Sequence, residues 1–349
     1  MGWRLRLLGV AAAVVATAGL SAVPVMAGNS HTIVVPPGGS IQAAVNSAHP
    51  GDTIKVAKGT FHENVLITTD QLTLRGAGAG ETVLMPPAND NQCGICVGIP
   101  FAPFTHMVSG VHIRDLTVRD FGGFGVFGFG TDGLQVSRVD AANNAFYGIS
   151  RFESTRTVFR NNRAWGSHEA GFYIGDAQDA DTLVEGNKAW NNDLGIFVRH
   201  ARHVTIVDNQ VWGNCFGVLV LDDGQAGGAG NVAIRENNIH GNTTICPHTD
   251  PDTPPTHGGA GVVILGADNN RVTDNHVSDN AAATPFAGGV VVLSSAFFGG
   301  HDAMSNTISD NELRNNSPAD IVWDGAGTDN KFRDNDCRTS IPPGLCHQD

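Results

Sequence analysis

The sequence predicts an all-β chain wound as a single-stranded right-handed parallel β-helix, a solenoid with a short N-terminal capping helix. Three observations predict it: a recurring Asn frame, an apolar column in fixed register with that frame, and a composition of turn formers. The segments Asn187–Asn192, Asn209–Asn214, Asn237–Asn242, Asn275–Asn280 and Asn311–Asn316 each begin and end with Asn and carry an apolar residue two places in. Asn162–Ser167 fits with Ser at the end, and Asn335 opens a truncated copy. Three residues before each first Asn stands Phe159, Val184, Ile206, Ile234, Val272, Ile308 or Phe332, and Val136 and Ile113 continue that column upstream. Successive first Asn residues lie 25, 22, 28, 38, 36 and 24 apart, the spacing of one solenoid turn with insertions. The 44 Gly, with abundant Asn and Asp, supply corners, while sparse Lys and Glu disfavour long helices.

One coil cannot bury its apolar face alone, but stacked coils share a continuous core. Asn tolerates left-handed backbone and bonds its counterpart in the next coil, so the Asn columns are read as corners, not as catalytic groups. A third strand opens at Gly148, Gly171, Gly195, Gly217, Gly261 and Gly289. Alternation puts Phe172, Ile174, Ile196, Val198, Val218, Val220, Val262 and Ile264 inside. It puts Tyr173, Gly175, Phe197, Arg199, Leu219 and Leu221 outside. Arg151 falls at an inward position, so a bulge or register shift is expected there in place of a buried charge.

The ends read differently. Residues 1–27 have the form of a secretory signal peptide: Arg4 and Arg6, the apolar run Leu7–Leu20, and a small-residue cleavage site at Val25–Ala27. No later segment is apolar for long enough to span a bilayer. The expectation is a secreted chain whose residues 28–349 form one domain: a cap over about 31–66, coils over about 67–336, and a tail at 337–349. Ser40–Ala48 has the apolar spacing of a short helix with a Ser cap, suited to closing the open end of the core.

Six Cys in an oxidising compartment are expected to pair. They allow 15 connectivities. Proximity suggests Cys93–Cys96 and Cys337–Cys346, and elimination leaves Cys215–Cys246. The Cys93–Cys96 spacing also fits a redox pair, but no thioredoxin-like βαβ pattern surrounds it. Loss of the leader moves the formal charge from −13 to −15, which argues against nucleic acid as a partner. An acidic polysaccharide then requires Ca²⁺ or a local cationic patch.

The runs Ser40–Val45, Pro50–Ile67 and Leu72–Gly76 resemble the opening of the pectin-lyase-like β-helix superfamily. That opening is also similar to those of pectin methylesterases and of copper-site accessory proteins of nitrous oxide reductase. The repeats over about 111–336 resemble those of mannuronan epimerases and of alginate or pectate lyases. The resemblance covers nearly all of the mature chain and implies fold; the opening motif describes a cap, not a site. No Asp-Pro-His-Asp stretch of the mannuronan epimerase kind is present, nor the clustered Asp, Lys and Arg of calcium-dependent pectate lyases, nor the methylesterase signatures. With few Met and no Met/His run, a copper role is the weaker implication.

Position supplies the candidate site. Insertions at 224–230, 243–258, 281–287 and 294–303 recur at matching corners and are expected to wall a groove along the solenoid axis. On the outer face of the third sheet, neighbouring coils about 4.8 Å apart would line up Asp176, His200 and Asp222 as carboxylate, imidazole and carboxylate. The catalytic candidates are His200, Asp176, Arg199, Tyr173 and Asp222. His168, Glu169, Phe197, Asp223 and His203 are substrate-binding candidates. In proton abstraction beside a uronate carboxylate, the base would be His200, Tyr173 or Arg199, with Arg199 or a Ca²⁺ on Asp176 and Asp222 neutralising the carboxylate. The Cys246–His257 stretch, with two His and two Asp, reads as a disulfide-pinned loop or a metal loop. Trp165, Trp190 and Trp212 read as either a sugar platform or a packed ladder.

The function expected is a secreted β-helix that binds a polysaccharide and acts as a lyase or C5-epimerase on its uronic acid units. The alternatives are a non-enzymatic polysaccharide-binding or envelope protein and a glycoside hydrolase using paired Asp.

Overall fold

A computed structural model describes residues 30–89, 92–100, 106–247 and 256–346. The proposed leader therefore lies outside the described residues, as do His248, Asp250 and Asp252 of the Cys246–His257 loop. Short parallel strands from successive coils pair into continuous sheets, and the described residues hold one α-helix. The anticipated apolar column is in register throughout: Ile113, Val136, Phe159, Val184, Ile206, Ile234, Val272, Ile308 and Phe332 are consecutive partners. All are buried in one core with the inward residues of the third sheet, from Phe172 to Ile264.

Two Asn ladders fix that register. Asn187 donates its side-chain N–H to Phe159 O (2.9 Å) and to Asn209 Oδ1 (3.0 Å), and its backbone N–H to the same Oδ1 (2.8 Å). The pattern repeats through Asn237, Asn275, Asn311 and Asn335, and at the next corner through Asn192, Asn214, Asn242, Asn280 and Asn316. A third, shorter ladder runs Asn270, Asn306 and Asn330, which the six-residue frame does not contain. Each buried amide thereby satisfies backbone groups that a corner would otherwise leave unpaired. The Gly that opens each third strand answers a different constraint. A Cβ on Gly195 would lie 2.5 Å from Gly217 O and 2.4 Å from Val211 Cγ1, closer than a carbon tolerates.

Helix Ile41–Ser47 caps the core, with Ser40 Oγ accepting from Ala43 N (3.1 Å) and Glu63 accepting from the N–H groups of Ile41 and Gln42. Cys93–Cys96, Cys215–Cys246 and Cys337–Cys346 are disulfides, as proximity and elimination suggested. No helix among the described residues is long and apolar enough to cross a membrane.

Two expectations are corrected. Arg151 is not displaced by a bulge: its strand keeps one register from Tyr147↔Ala170 to Phe152↔Gly175, with Arg151 opposite Ile174, and the guanidinium is fully buried. It donates to Thr182 Oγ1 (3.2 and 3.0 Å) and to Gly175 O (3.0 Å). Burial lowers its pKa to about 9, so it remains cationic at neutral pH. Hydrogen bonding thus makes a buried charge tolerable where alternation alone would forbid it.

The outer face of the third sheet is likewise not a solvent-facing floor. Tyr173, Phe197, Leu219, Leu221, Val263 and Val291 form a second apolar cluster outside the main core, buried together with Phe286 from the 281–287 insertion. Long corner loops fold over the sheet because its outward side chains are aromatic and aliphatic, and covering them releases water.

Asn209→Ala removes an acceptor shared by two N–H groups of Asn187 and should lower stability by about 2–4 kcal/mol, from the cost of unsatisfied buried groups. Urea unfolding checks this. A loss below about 0.5 kcal/mol, the range of neutral surface changes, would show that the ladder does not hold the coils together.

Candidate functional site

Each third strand reaches a corner where the chain bends toward the next sheet, and the strand Leu194–Val207 runs through it unbroken. Phe152, Gly175 and Arg199 are register partners, so the next residues, Glu153, Asp176 and His200, stack in three neighbouring coils. All three have left-handed backbone, with φ of 46°, 54° and 48°. That conformation bends the chain, although pairing resumes one residue later at Ala177↔Ala201, and it directs their side chains away from the buried outer cluster. They line one cavity of about 680 Å³ with Met107, Ser154, Thr155, Ala177, Gln178, Asp179, Gln225 and Ala226. Gln178 holds the wall in place by donating to His200 O (3.3 Å) and Gly228 O (3.2 Å).

His200 is 4% exposed and carries a carboxylate on each ring nitrogen. Nδ1 meets Asp176 Oδ1 at 3.1 Å, and Nε2 meets Asp223 Oδ1. The other Asp223 oxygen accepts from Arg199 Nη2 (2.7 Å) and Nε (3.2 Å). Burial by itself disfavours the imidazolium, but hydrogen bonds to Asp176 and Asp223 outweigh it and raise the His200 pKa from 6.5 to about 9. Burial also works against the Asp223 carboxylate, yet the bonds from His200 and Arg199 hold it well below the usual range. Two cations and two carboxylates therefore form a compact network whose one half-exposed member is Asp176, with 42% of its side chain open.

Of the residues singled out from sequence, the structure brings together Asp176, Arg199, His200 and Asp223. Asp222 follows Leu221, the register partner of Arg199, and so stands next in the column, but its carboxylate is diverted: it is 2% exposed, and its oxygens accept from Gly224 N (3.0 Å) and Ala229 N (2.8 Å), with His301 Nε2 at 3.3 Å. Its role here is to fold the loop that delivers Asp223. With those oxygens committed, Asp176 and Asp222 do not offer the paired open carboxylates a shared Ca²⁺ would need. Among the described residues, one set of three potential ligand atoms lies within 4.8 Å, Asp193, Cys215 and Cys246, and both sulfurs are in a disulfide.

Tyr173 (1% exposed) and Phe197 (0%) sit under the loops, so neither reaches solvent as base or platform. His168 and Glu169 precede the strand Ala170–Ala177, which carries Asp176 near its far end. At about 3.3 Å per residue, that strand places Glu169 roughly 20 Å from the corner. Glu169 is buried there and accepts from Tyr147 Oη. His203 is exposed near the cavity rim, its Nδ1 3.6 Å from Asp179. Glu153 is not among the residues that the sequence singles out, although it stands five residues after its Gly, as Asp176 and His200 do after theirs.

The chain is a right-handed parallel β-helix protein. Residues 90–227 match the family described as the right handed beta helix region. Over 178 residues it is 29% identical to the mannuronan C5-epimerase AlgE6 of Azotobacter vinelandii. That alignment covers 44% of this chain and 20% of the relative, so the match spans about a fifth of the relative's length. Among solved structures it is similar to the A-module of mannuronan C-5 epimerase AlgE4 from the same organism, with a TM-score of 0.60, 20% identity, and coverage of 84% of this chain and 90% of that one. It is also similar to PfbA, a surface adhesin of Streptococcus pneumoniae, with a TM-score of 0.55, 11% identity, and 85% of each chain covered. These structural likenesses establish the fold, and the same fold serves an epimerase and an adhesin.

The His200 network generates a pH dependence. Because its folded pKa is raised, its stabilising contribution is complete below about pH 6.5 and is lost as pH rises through about 9. NMR titration of the His200 ring should give a midpoint near 9 in the native protein, and Asp223→Asn should bring it down by at least about one unit. An unchanged midpoint in Asp223→Asn would show that the carboxylate does not set the imidazole's charge.

Proposed function

We propose that the protein is a secreted carbohydrate-active β-helix that holds an acidic polysaccharide at the corner cavity and acts on its uronic acid units as a lyase or C5-epimerase. The observation that carries this reading is the Glu153–Asp176–His200 column, which sets open carboxylates beside a fixed imidazolium in one cavity. The partial identity to a mannuronan C5-epimerase supports the substrate class, and the three disulfides fit an oxidising compartment.

Both reactions begin with removal of the C5 proton beside the uronate carboxylate. With both nitrogens donating and a pKa near 9, His200 serves as the acid in this scheme and not as the base. Asp176, or Glu153 one coil away, accepts the C5 proton. In elimination the C5–H electron pair becomes the C4–C5 double bond, the C4–O bond breaks, and the leaving oxygen takes a proton delivered from His200. In epimerisation a solvent water protonates the C5 carbanion on its opposite face, and the hydroxide left behind takes up the proton first removed by the carboxylate. Arg199 and Asp223 are positioning residues that keep the imidazole charged and still.

A second reading, glycoside hydrolysis, is favoured by one feature: Glu153, Asp176 and Asp179 line the same cavity, enough carboxylates to supply an acid and a base. Incubation with a panel of polyuronates separates the outcomes. Elimination yields an ultraviolet-absorbing unsaturated end, epimerisation exchanges the C5 proton with solvent, and hydrolysis yields reducing ends alone. Asp176→Ala and His200→Ala should each cut the rate by about 10²-fold or more with folding retained by circular dichroism. Full rates in both folded variants would discard this site. If the wild type turns over no member of the panel, the catalytic reading fails.

A further inference from the structure

A second outward strip of the solenoid lies apart from the corner cavity. Between the two Asn corners of each coil runs a three-residue strand whose middle residue points inward: Arg163–Trp165, Lys188–Trp190, Gln210–Trp212 and Asn238–His240. The first and last residues face out and are in register, Arg163↔Lys188↔Gln210↔Asn238 in one row and Trp165↔Trp190↔Trp212↔His240 in the other. The rings stack at 4.7 Å and 10°, 5.1 Å and 4°, and 6.1 Å and 6°. Their faces are therefore covered by one another, which rules out a platform on which successive sugars lie flat. What remains outward is ring edge, the positive side of an aromatic quadrupole.

The strip also has donors to spare. Among the described residues, the indole N–H groups of Trp165, Trp190 and Trp212 have no hydrogen-bond partner within the protein, whereas Trp323 Nε1 donates to Ala326 O (2.9 Å). Lys188 has no ion pair among them either, while Arg138 and Arg163 beside it are held by Asp115 and Asp140. A cleft of about 320 Å³ whose charged lining is Arg138, Asp140, Arg163 and Lys188 opens beside the first coils of the strip. Neither row carries an acidic residue between Arg163 and His240, in a chain whose formal charge is −13.

From this we infer that the Trp165–His240 strip is a second, non-catalytic binding surface for an extended acidic polysaccharide lying along the solenoid axis. Coils about 4.8 Å apart repeat at close to the length of a pyranose unit, so each coil offers its donors to a successive sugar. Lys188 and the indole edges attract the carboxylates. The identity of this polymer with the substrate rests on the function proposed above; the charge complementarity does not.

Three of the four Trp in residues 28–349 lie in this strip, so the indole fluorescence of that span reports on it. The experiment titrates Asp176→Ala protein, chosen because its turnover is expected to be about 10²-fold slower, with uronic acid hexamers and with a neutral glucan hexamer. A saturable fluorescence change is expected with the uronate alone, weakening as salt is added. Lys188→Glu should weaken it about fivefold while leaving turnover in the otherwise wild-type protein unchanged. The surface is overturned if saturating uronate leaves fluorescence unchanged, if the neutral hexamer binds equally, or if Lys188→Glu titrates like its parent. Failure of turnover on every uronate with an intact, Lys188-dependent fluorescence response would instead sink the catalytic reading and uphold this surface.

Discussion

Everything in this molecule depends on coils winding in register, and the register is held by amides that bond identically from coil to coil. A parallel sheet pairs by backbone alone and would tolerate slippage, but a buried Asn one position out of line leaves several polar groups unsatisfied in a dry interior. The Asn columns convert that cost into specificity. They also explain how insertions of a dozen residues or more can be accepted between coils: the ladder Asn209–Asn237–Asn275 has the same geometry across 28 and 38 residues as across 22.

The register in turn builds the corner cavity. Glu153, Asp176 and His200 come from three coils and share one backbone conformation, so a one-dimensional repeat yields a three-dimensional acid–base column. The fourth coil breaks the repeat in a useful way. Asp222 occupies the equivalent position but spends both oxygens on its own loop, and the loop then presents Asp223 to His200 and Arg199. The electrostatic consequence is an imidazole clamped between carboxylates, charged across the neutral range even though it is almost wholly buried.

Loops give the solenoid its second layer. The outward face of the third sheet is as apolar as the inner one over Tyr173, Phe197, Leu219 and Val263, and it is buried by what folds across it. The strand ends and the narrow strip of stacked indoles are left open. The two differ in chemistry: the cavity is lined by carboxylates around one imidazolium, and the strip offers a lysine and uncommitted donors.

The repeat, the inward column, the capping helix and the disulfide pairs were legible in the sequence because each depends on local chemistry or on spacing along the chain. Residues some two dozen apart at constant offset had to become neighbours, and Asp176 beside His200 follows from that alone. Three things did not follow. The pairing of His200 with Asp223 instead of Asp222 turns on how a loop closes, and loop closure is decided by amides outside the repeat. The burial of Tyr173 and Phe197 depends on insertions folding over them, which alternation within a strand cannot reveal. Arg151 keeps its inward place because Thr182 and the carbonyl of Gly175 reach its guanidinium, partners that only the assembled coils bring within bonding distance.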